Sequence, residues 1–295
     1  MSTKKTPKRR TNNPLAGASE ASNAAAANTA PPFDFYRWFL IGLFFLISIG
    51  GTYLVTKFRD PAPNTPRFTY EVIEAYDHDP NAFTQGLVFE AKDDLVWEST
   101  GLIGQSKLRK WNLKTGEIKK EILLEGELFG EGLTIANDRL YQLTYKAGKC
   151  FVYDREFNLL ETHTYEGQGW GLTFDGKSLI MSNGSSRLIF RDPDTFEKQK
   201  VVTVRQGRRS VPELNELEFA GGKIIANQYN SDFVYEIDPD SGQVEGIIDL
   251  TGIWPVRNRP EQGVLNGIAI DQVAERILVT GKLCPKVFEI KLKPK

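Results

Sequence analysis

Histidine and cysteine are nearly absent from this chain. Two histidines, His78 and His163, are too few for a zinc centre built on several imidazoles. Two cysteines, Cys150 and Cys284, with no CxxC spacing, give no disulfide framework. They read as two buried free thiols, with a single Cys150–Cys284 pair as the alternative. Charge excess is missing too. The 37 basic residues against 38 acidic ones leave a net −1, which carries no sign of nucleic-acid binding. Long helical periodicity is absent beyond residue 67, where short apolar runs alternate with Gly, Asn and Asp turns.

One long apolar run stands apart. Residues 1–35 form a basic tail rich in Ala, Asn, Ser and Thr, which buries too little apolar surface to fold and is expected to be disordered. Trp38–Val55, "WFLIGLFFLISIGGTYLV", then runs for 18 residues without a charge. As a helix it is about 27 Å long, close to the hydrocarbon thickness of a bilayer. Tyr36, Trp38 and Tyr53 lie near its ends, where amphipathic rings favour the interface. Six basic residues precede it (Lys4, Lys5, Lys8, Arg9, Arg10, Arg37) against Lys57 and Arg59 after it. The pattern predicts one transmembrane anchor over 36–57, the N-terminus cytoplasmic and the rest extracytoplasmic, in a periplasm or at the cell exterior. The alternative is a cleaved signal with "SIG" (Ser48–Gly50) as its cleavage site and secretion of the remainder. Residues 58–67 read as a Pro-rich linker to a domain over 68–295.

That domain repeats. "GLVFEA", "GLTIAN", "GLTFD", "ELEFAG" and "GIAID" begin at Gly86, Gly132, Gly171, Glu216 and Gly267, at spacings of 46, 39, 45 and 51 residues. A second and a third strand follow in each repeat, the third ending in turns such as "LKTGE" and "DPDTF". Four strands per 40–50 residues is the size of a propeller blade. The fifth repeat stops after three strands, and "RFTYEVIEAYD" (Arg67–Asp77) is free to supply its fourth, which removes an open sheet edge. The expected fold is all-β, a five-bladed β-propeller, with a β-sandwich as the alternative. In a propeller the residues just before each first strand ring the channel mouth: Gln85, Glu131, Trp170, Asn215 and Asn266. Two positions earlier lie Phe83, Phe129, Gln168, Glu213 and Val264. A carboxylate, amides and aromatics converging at one mouth make a small-ligand site.

The stretches "HDPNAFTQGLVFE", "FGEGLTIANDRLYQLTYKAG", "GWGLTFDGKSLIMSNGSSRLIFRDP", "LNELEF" and "LNGIAID…ILVTGKLCPKVFEIKL" resemble, in order across residues 70–292, the plant and bacterial glutaminyl-peptide cyclotransferases. That family is a five-bladed propeller, unrelated to the zinc-dependent animal cyclases. The resemblance implies conversion of N-terminal glutamine of peptides or proteins to pyroglutamate with release of ammonia. It carries over Phe83, Gln85, Phe129, Glu131, Trp170, Asn215 and Lys282 as site residues. Plant members have Trp in the segments where this chain has Tyr145 and Tyr229, and Cys284 stands where "GKLWPK" is common.

The reaction is an attack of the substrate's α-amine on its own side-chain amide, so holding that side chain folded back supplies much of the acceleration. Phe83, Phe129, Trp170, Tyr145 and Tyr229 are expected to form the aromatic box. Glu131, the one acid of the ring, is expected to shuttle the proton. Gln85, Asn215 and Lys282 are its expected oxyanion donors, and Asn266 a further substrate contact. No cofactor is expected for the chemistry, with room for a structural calcium in the channel. The expected partners are Gln-initiated peptides and, through one helix, a membrane, with the chain a monomer. Two other readings of the ring are a calcium-dependent lactonase or esterase, with Glu131, Asn215 and Asn266 as ligands, and a non-catalytic binding propeller.

Overall fold

Apolar and polar residues alternating over five to seven positions between Gly, Asn and Asp turns favour short strands, and strands are almost all that forms. The structure, a computed structural model, describes residues 65–295. The expected tail, the anchor and nearly all of the linker lie outside the described residues.

The chain enters on β1 (Arg67–Asp77). Repeat 1 follows as β2 (Thr84–Glu90), β3 (Leu95–Thr100), β4 (Lys107–Asn112) and β5 (Ile118–Leu123). Repeat 2 is β6 (Gly130–Ala136), β7 (Arg139–Thr144), β8 (Lys149–Tyr153) and β9 (Leu159–Thr164). Repeat 3 is β10 (Leu172–Phe174), β11 (Leu179–Met181), β12 (Arg187–Arg191) and β13 (Lys198–Thr203). A two-rung ribbon, β14 (Arg205–Gln206) and β15 (Arg209–Ser210), occupies the basic "RQGRRS" stretch. Repeat 4 is β16 (Leu214–Ala220), β17 (Lys223–Gln228), β18 (Phe233–Ile237) and β19 (Val244–Asp249). Repeat 5 has β20 (Leu265–Asp271), β21 (Arg276–Gly281) and β22 (Lys286–Pro294).

Each repeat is an antiparallel meander. β1 completes repeat 5, pairing with β22 from Phe68↔Pro294 to Asp77↔Lys286. β1 also makes a short parallel contact with β19, at Arg67↔Ile247 and Phe68↔Ile248, which joins repeats 4 and 5 into one eight-stranded sheet. The first strands touch in a closed cycle: β2 with β6, β6 with β10, β10 with β16, β16 with β20, and β20 with β2.

The glycine opening each first strand follows from this cycle. A Cβ on Gly86 would collide with the backbone of Leu133, one on Gly132 with that of Leu172, and one on Gly171 with the carbonyl of Asn215. Each clash lies in the next repeat, so the backbones approach where only hydrogen fits. Repeat 4 has Glu216 instead. Its Oε2 accepts from the Ile268 N–H at 2.9 Å and its Oε1 from the Leu87 N–H at 3.4 Å, tying repeats 5 and 1 to repeat 4. Burial, then the nearby Glu218, pushes the Glu216 carboxyl well above the usual carboxylate range.

Buried aliphatic and aromatic side chains fill the spaces between neighbouring sheets. The turns between third and fourth strands close several of them. Phe157, at φ 60°, leaves the turn of repeat 2 and meets Trp97 of repeat 1 edge-on, with ring centroids 5.7 Å apart. Phe196, also at φ 60°, leaves the equivalent turn of repeat 3 and stacks on His163 of repeat 2 at 5.5 Å. Cys150 and Cys284 are both buried and free.

Candidate active site

Four of the five first strands are bulged where they begin. Pairing slips between Thr84 and Gly86, Gly130 and Leu133, Leu214 and Leu217, and Leu265 and Ile268. A bulge re-aims the extra residue. Gln85, Glu131, Asn215 and Asn266 therefore sit at irregular points of their strands. All four are buried.

The second strands add another layer. The N–H groups of Gly101, Tyr145, Tyr229 and Lys282 donate to the carbonyls of Phe83, Phe129, Glu213 and Val264, at 2.8 to 2.9 Å. Each second strand thus returns beside the residue two before its own ring position. This brings Tyr145, Tyr229 and Lys282 to the mouth. Gly101 occupies the same place in repeat 1. A Cβ there would strike the Phe129 ring, so its glycine makes room for the aromatic wall.

The result is a cavity of about 260 Å³ lined by Phe83, Gln85, Phe129, Glu131, Tyr145, Trp170, Asn215, Tyr229 and Lys282, together with Leu102 and Gln262. Its wall is aromatic. Phe83 meets Phe129 edge-on at 6.0 Å, Phe129 tilts against Tyr145 at 5.8 Å, and Trp170 meets Tyr229 edge-on at 5.8 Å. Gln168 takes no part in the lining; its Oε1 accepts from the Trp170 indole N–H at 3.0 Å and fixes that ring. Asn266 does not line the cavity either. Its Nδ2 donates to the Thr84 carbonyl at 3.0 Å and to Gln85 Oε1 at 3.3 Å, so it holds Gln85 from behind. Glycine at 267 explains this. It alone among the ring glycines has positive φ, 124°, and turns the backbone of repeat 5 differently.

Glu131 is the one carboxylate among the lining residues. Burial pushes it well above the usual carboxylate range, and the Lys282 ammonium opposes that shift. Burial lowers Lys282 to about 8, with Glu131 opposing. Its Nζ sits 5.0 Å from the Phe83 ring centre and 5.1 Å from that of Tyr229, so two aromatic faces stand in for part of its water. The side-chain oxygen of Asn215 is buried with no hydrogen-bond partner. An amide left unpaired at a cavity wall is available to a bound group.

Outside the wall lies a buried charge cluster that the strand pattern did not suggest. Glu98 accepts from Thr84 Oγ1 at 2.8 Å, Arg109 Nε at 2.8 Å, Trp111 Nε1 at 3.2 Å and the His78 ring at 3.1 Å. Thr84 lies between Phe83 and Gln85. The other nitrogen of His78 contacts the carbonyl of Cys284, two residues after Lys282. The cluster therefore braces both segments that carry those site residues. Among the described residues no group of three or more His, Cys, Asp and Glu is placed to hold a metal.

Residues 46–292 match the family described as glutamine cyclotransferase. The glutaminyl-peptide cyclotransferase of Arabidopsis thaliana is 41% identical over 230 residues, covering 76% of this chain and 71% of that protein. The crystal structure of Myxococcus xanthus glutaminyl cyclase aligns with a TM-score of 0.73 at 38% identity, over 79% of this chain and 100% of that one. A chain consisting of this fold alone therefore folds in that relative, and here Pro61–Lys295 form a compact unit.

Proposed function

The chain belongs to the glutamine cyclotransferase family, and we propose that Glu131 moves the proton in its reaction, the cyclisation of glutamine to pyroglutamate. The observation that carries this role is one buried carboxylate and one buried ammonium lining a single aromatic cavity, each acting on the other's charge. A carboxylate held above its usual range is the stronger base for taking a proton and can return it later in the reaction.

The substrate is a peptide or protein with an N-terminal glutamine, as the names of the relatives imply. Its side chain folds back between Phe129, Trp170 and Tyr229. Glu131 takes a proton from the α-amine as the amine nitrogen bonds to the side-chain carbonyl carbon. The oxygen gains negative charge and is met by the Lys282 ammonium and the amides of Asn215 and Gln85. The carbon–nitrogen bond of the side-chain amide then breaks, Glu131 returns its proton to the departing nitrogen, and ammonia leaves. Carbon passes from one nitrogen to another within one molecule, an acyl transfer needing no second substrate. Tyr145 and Tyr229 keep the wall aromatic and add hydroxyls.

Every step is served by side chains, so no cofactor enters this reading. At the centre of the strand cycle both oxygens of Glu216 already accept backbone N–H groups, which does not make the several-oxygen shell that calcium takes. The five meanders are read as blades of a five-bladed propeller, supported by the closed cycle of first strands and by β1 completing the fifth. The run Trp38–Val55 is read as the anchor of a monomeric single-pass membrane protein, with the catalytic unit extracytoplasmic.

The test is ammonia release from a Gln-initiated dipeptide by residues 61–295, with and without EDTA. Glu131→Gln is expected to lower kcat by about 10³-fold while the fold survives. Release that persists in that variant would remove Glu131 from the role. EDTA-sensitive release would bring a metal back into the reaction.

A further inference from the structure

On the side of the molecule away from the active site, the third-to-fourth-strand turn of one repeat packs on the second strand of the repeat before. Phe157 covers Trp97, and Tyr141 donates its hydroxyl to the carbonyl of Pro193 at 3.0 Å. Ile225 is the matching position of repeat 4, since Val88↔Trp97, Thr134↔Tyr141 and Glu218↔Ile225 pair at the same step after each opening residue. Among the described residues no turn covers Ile225. The third and fourth strands of repeat 5 are β22 and β1, which come from opposite ends of the sequence.

A cavity of about 470 Å³ lies where that turn would pack. Ile225, Val234 and Ile248 face Ile268, Val279 and Ile290 across it, all buried and all branched aliphatics. Among the described residues no aromatic side chain lines it. The cavity lies between the faces of repeats 4 and 5, whose outer strands β19 and β1 meet in the short parallel contact and whose first strands β16 and β20 pack together. The exposed lining residues, Gly221, Gln272 and Glu275, all belong to the turns after the first strands, which places the mouth at the end opposite Glu131 and Lys282. Gln272 spans that mouth by accepting from the Gly221 N–H at 3.0 Å.

We propose that this cavity binds a single aliphatic chain carrying an uncharged or cationic head group. Its depth offers branched aliphatic walls, which favour a hydrocarbon and leave a polar group unpaired. Its mouth carries Glu236, Asp271 and Glu275 against Lys223. That lysine is already taken by Glu236 at 3.6 Å and Glu245 at 3.2 Å, so an anionic head meets net repulsion.

The test titrates residues 61–295 with 1-decanol, decylammonium and decanoate below their micellar concentrations, by calorimetry and by melting temperature. Decanol and decylammonium are expected to bind one per chain with a saturable rise in melting temperature, and decanoate about tenfold more weakly. Ile225→Trp, which gives repeat 4 the ring that repeat 1 has at Trp97, is expected to abolish binding while glutamine cyclisation continues. Glu275→Lys, on the exposed rim, is expected to move the preference toward decanoate without touching the cavity wall. No saturable binding of decanol or decylammonium overturns the proposal. So does undiminished binding in an active Ile225→Trp protein, or a head-group preference that Glu275→Lys leaves unchanged.

Discussion

The Nε2 of His78 lies 3.1 Å from Oε1 of Glu98 inside the protein, while Nδ1 lies 2.8 Å from the carbonyl oxygen of Cys284. A carbonyl only accepts, and so does a carboxylate, so both ring nitrogens carry protons and His78 is an imidazolium. Burial works against that charge, but Glu98 outweighs it and holds the His78 pKa above its ordinary 6.5. A raised folded-state pKa contributes stability that is fully present below 6.5 and lost as pH rises through the folded value. Urea unfolding across that interval is expected to show stability falling with rising pH, and His78→Gln to flatten this part of the slope. An unchanged slope in the variant would mean that another group titrates there.

Lys282 poses the opposite case. Its pKa falls from 10.5 to about 8 because burial penalises the charge more than Glu131 favours it. The cost to the fold is fully present below pH 8 and is relieved as pH rises toward 10.5. Lys282→Met removes a penalty of about 3 kcal/mol at neutral pH, less the ring contacts it gives up. The variant is expected to be more stable than the parent at pH 7, with the difference closing by pH 10, and to lose about a hundredfold in kcat/KM. Greater stability with lower activity separates a group held for chemistry from one held for structure. A variant that is less stable at pH 7 would contradict the assignment.

Much of this was legible because the first strands share one grammar. A glycine is forced at Gly86, Gly132 and Gly171, where the backbone of the next first strand approaches, and counting back from the aligned strand openings, Glu216 included, reached Gln85, Glu131, Trp170 and Asn215. Leu102 and Gln262 escaped because they belong to loops with no repeat register, each at positive φ, 84° and 70°. Asn266 has the right count but the wrong aim, since Gly267 alone changes the backbone there. The Glu98 cluster was invisible for another reason. His78, Glu98 and Arg109 come from different segments, and only strand pairing brings them together. The parallel contact of β1 with β19 has no signal in either strand and follows from where repeat 5 must close.

The glycine rule makes a prediction of its own. Gly171 tolerates no Cβ because the obstacle is backbone of Asn215 and Glu216, not a side chain that can swing aside. Gly171→Ala is expected to cost at least about 3 kcal/mol in chemical unfolding. Gly104→Ala, where nothing lies within 4 Å and only positive φ opposes the change, is expected to cost about 1 kcal/mol. Equal costs at the two positions would show that close approach at the centre is not what selects the glycines.

In the proposed mechanism Glu131 and Lys282 together set the pH range of the reaction. Glu131 must be ionised to take the amine proton, so kcat falls as pH drops through its pKa, which burial has moved well above 4.5. Lys282 must be charged to meet the oxyanion, so kcat falls again as pH rises past about 8. A bell-shaped profile is expected, with an acidic limb well above that of an ordinary carboxylate and a basic limb near 8. Since each group favours the charged form of the other, the limbs belong to the pair. Lys282→Met is expected to remove the basic limb and to push the acidic limb upward, because Glu131 loses the cation that opposes its burial. A basic limb unmoved in Lys282→Met would assign it to the substrate amine or to another group, and an unmoved acidic limb would show that the two charges do not act on each other.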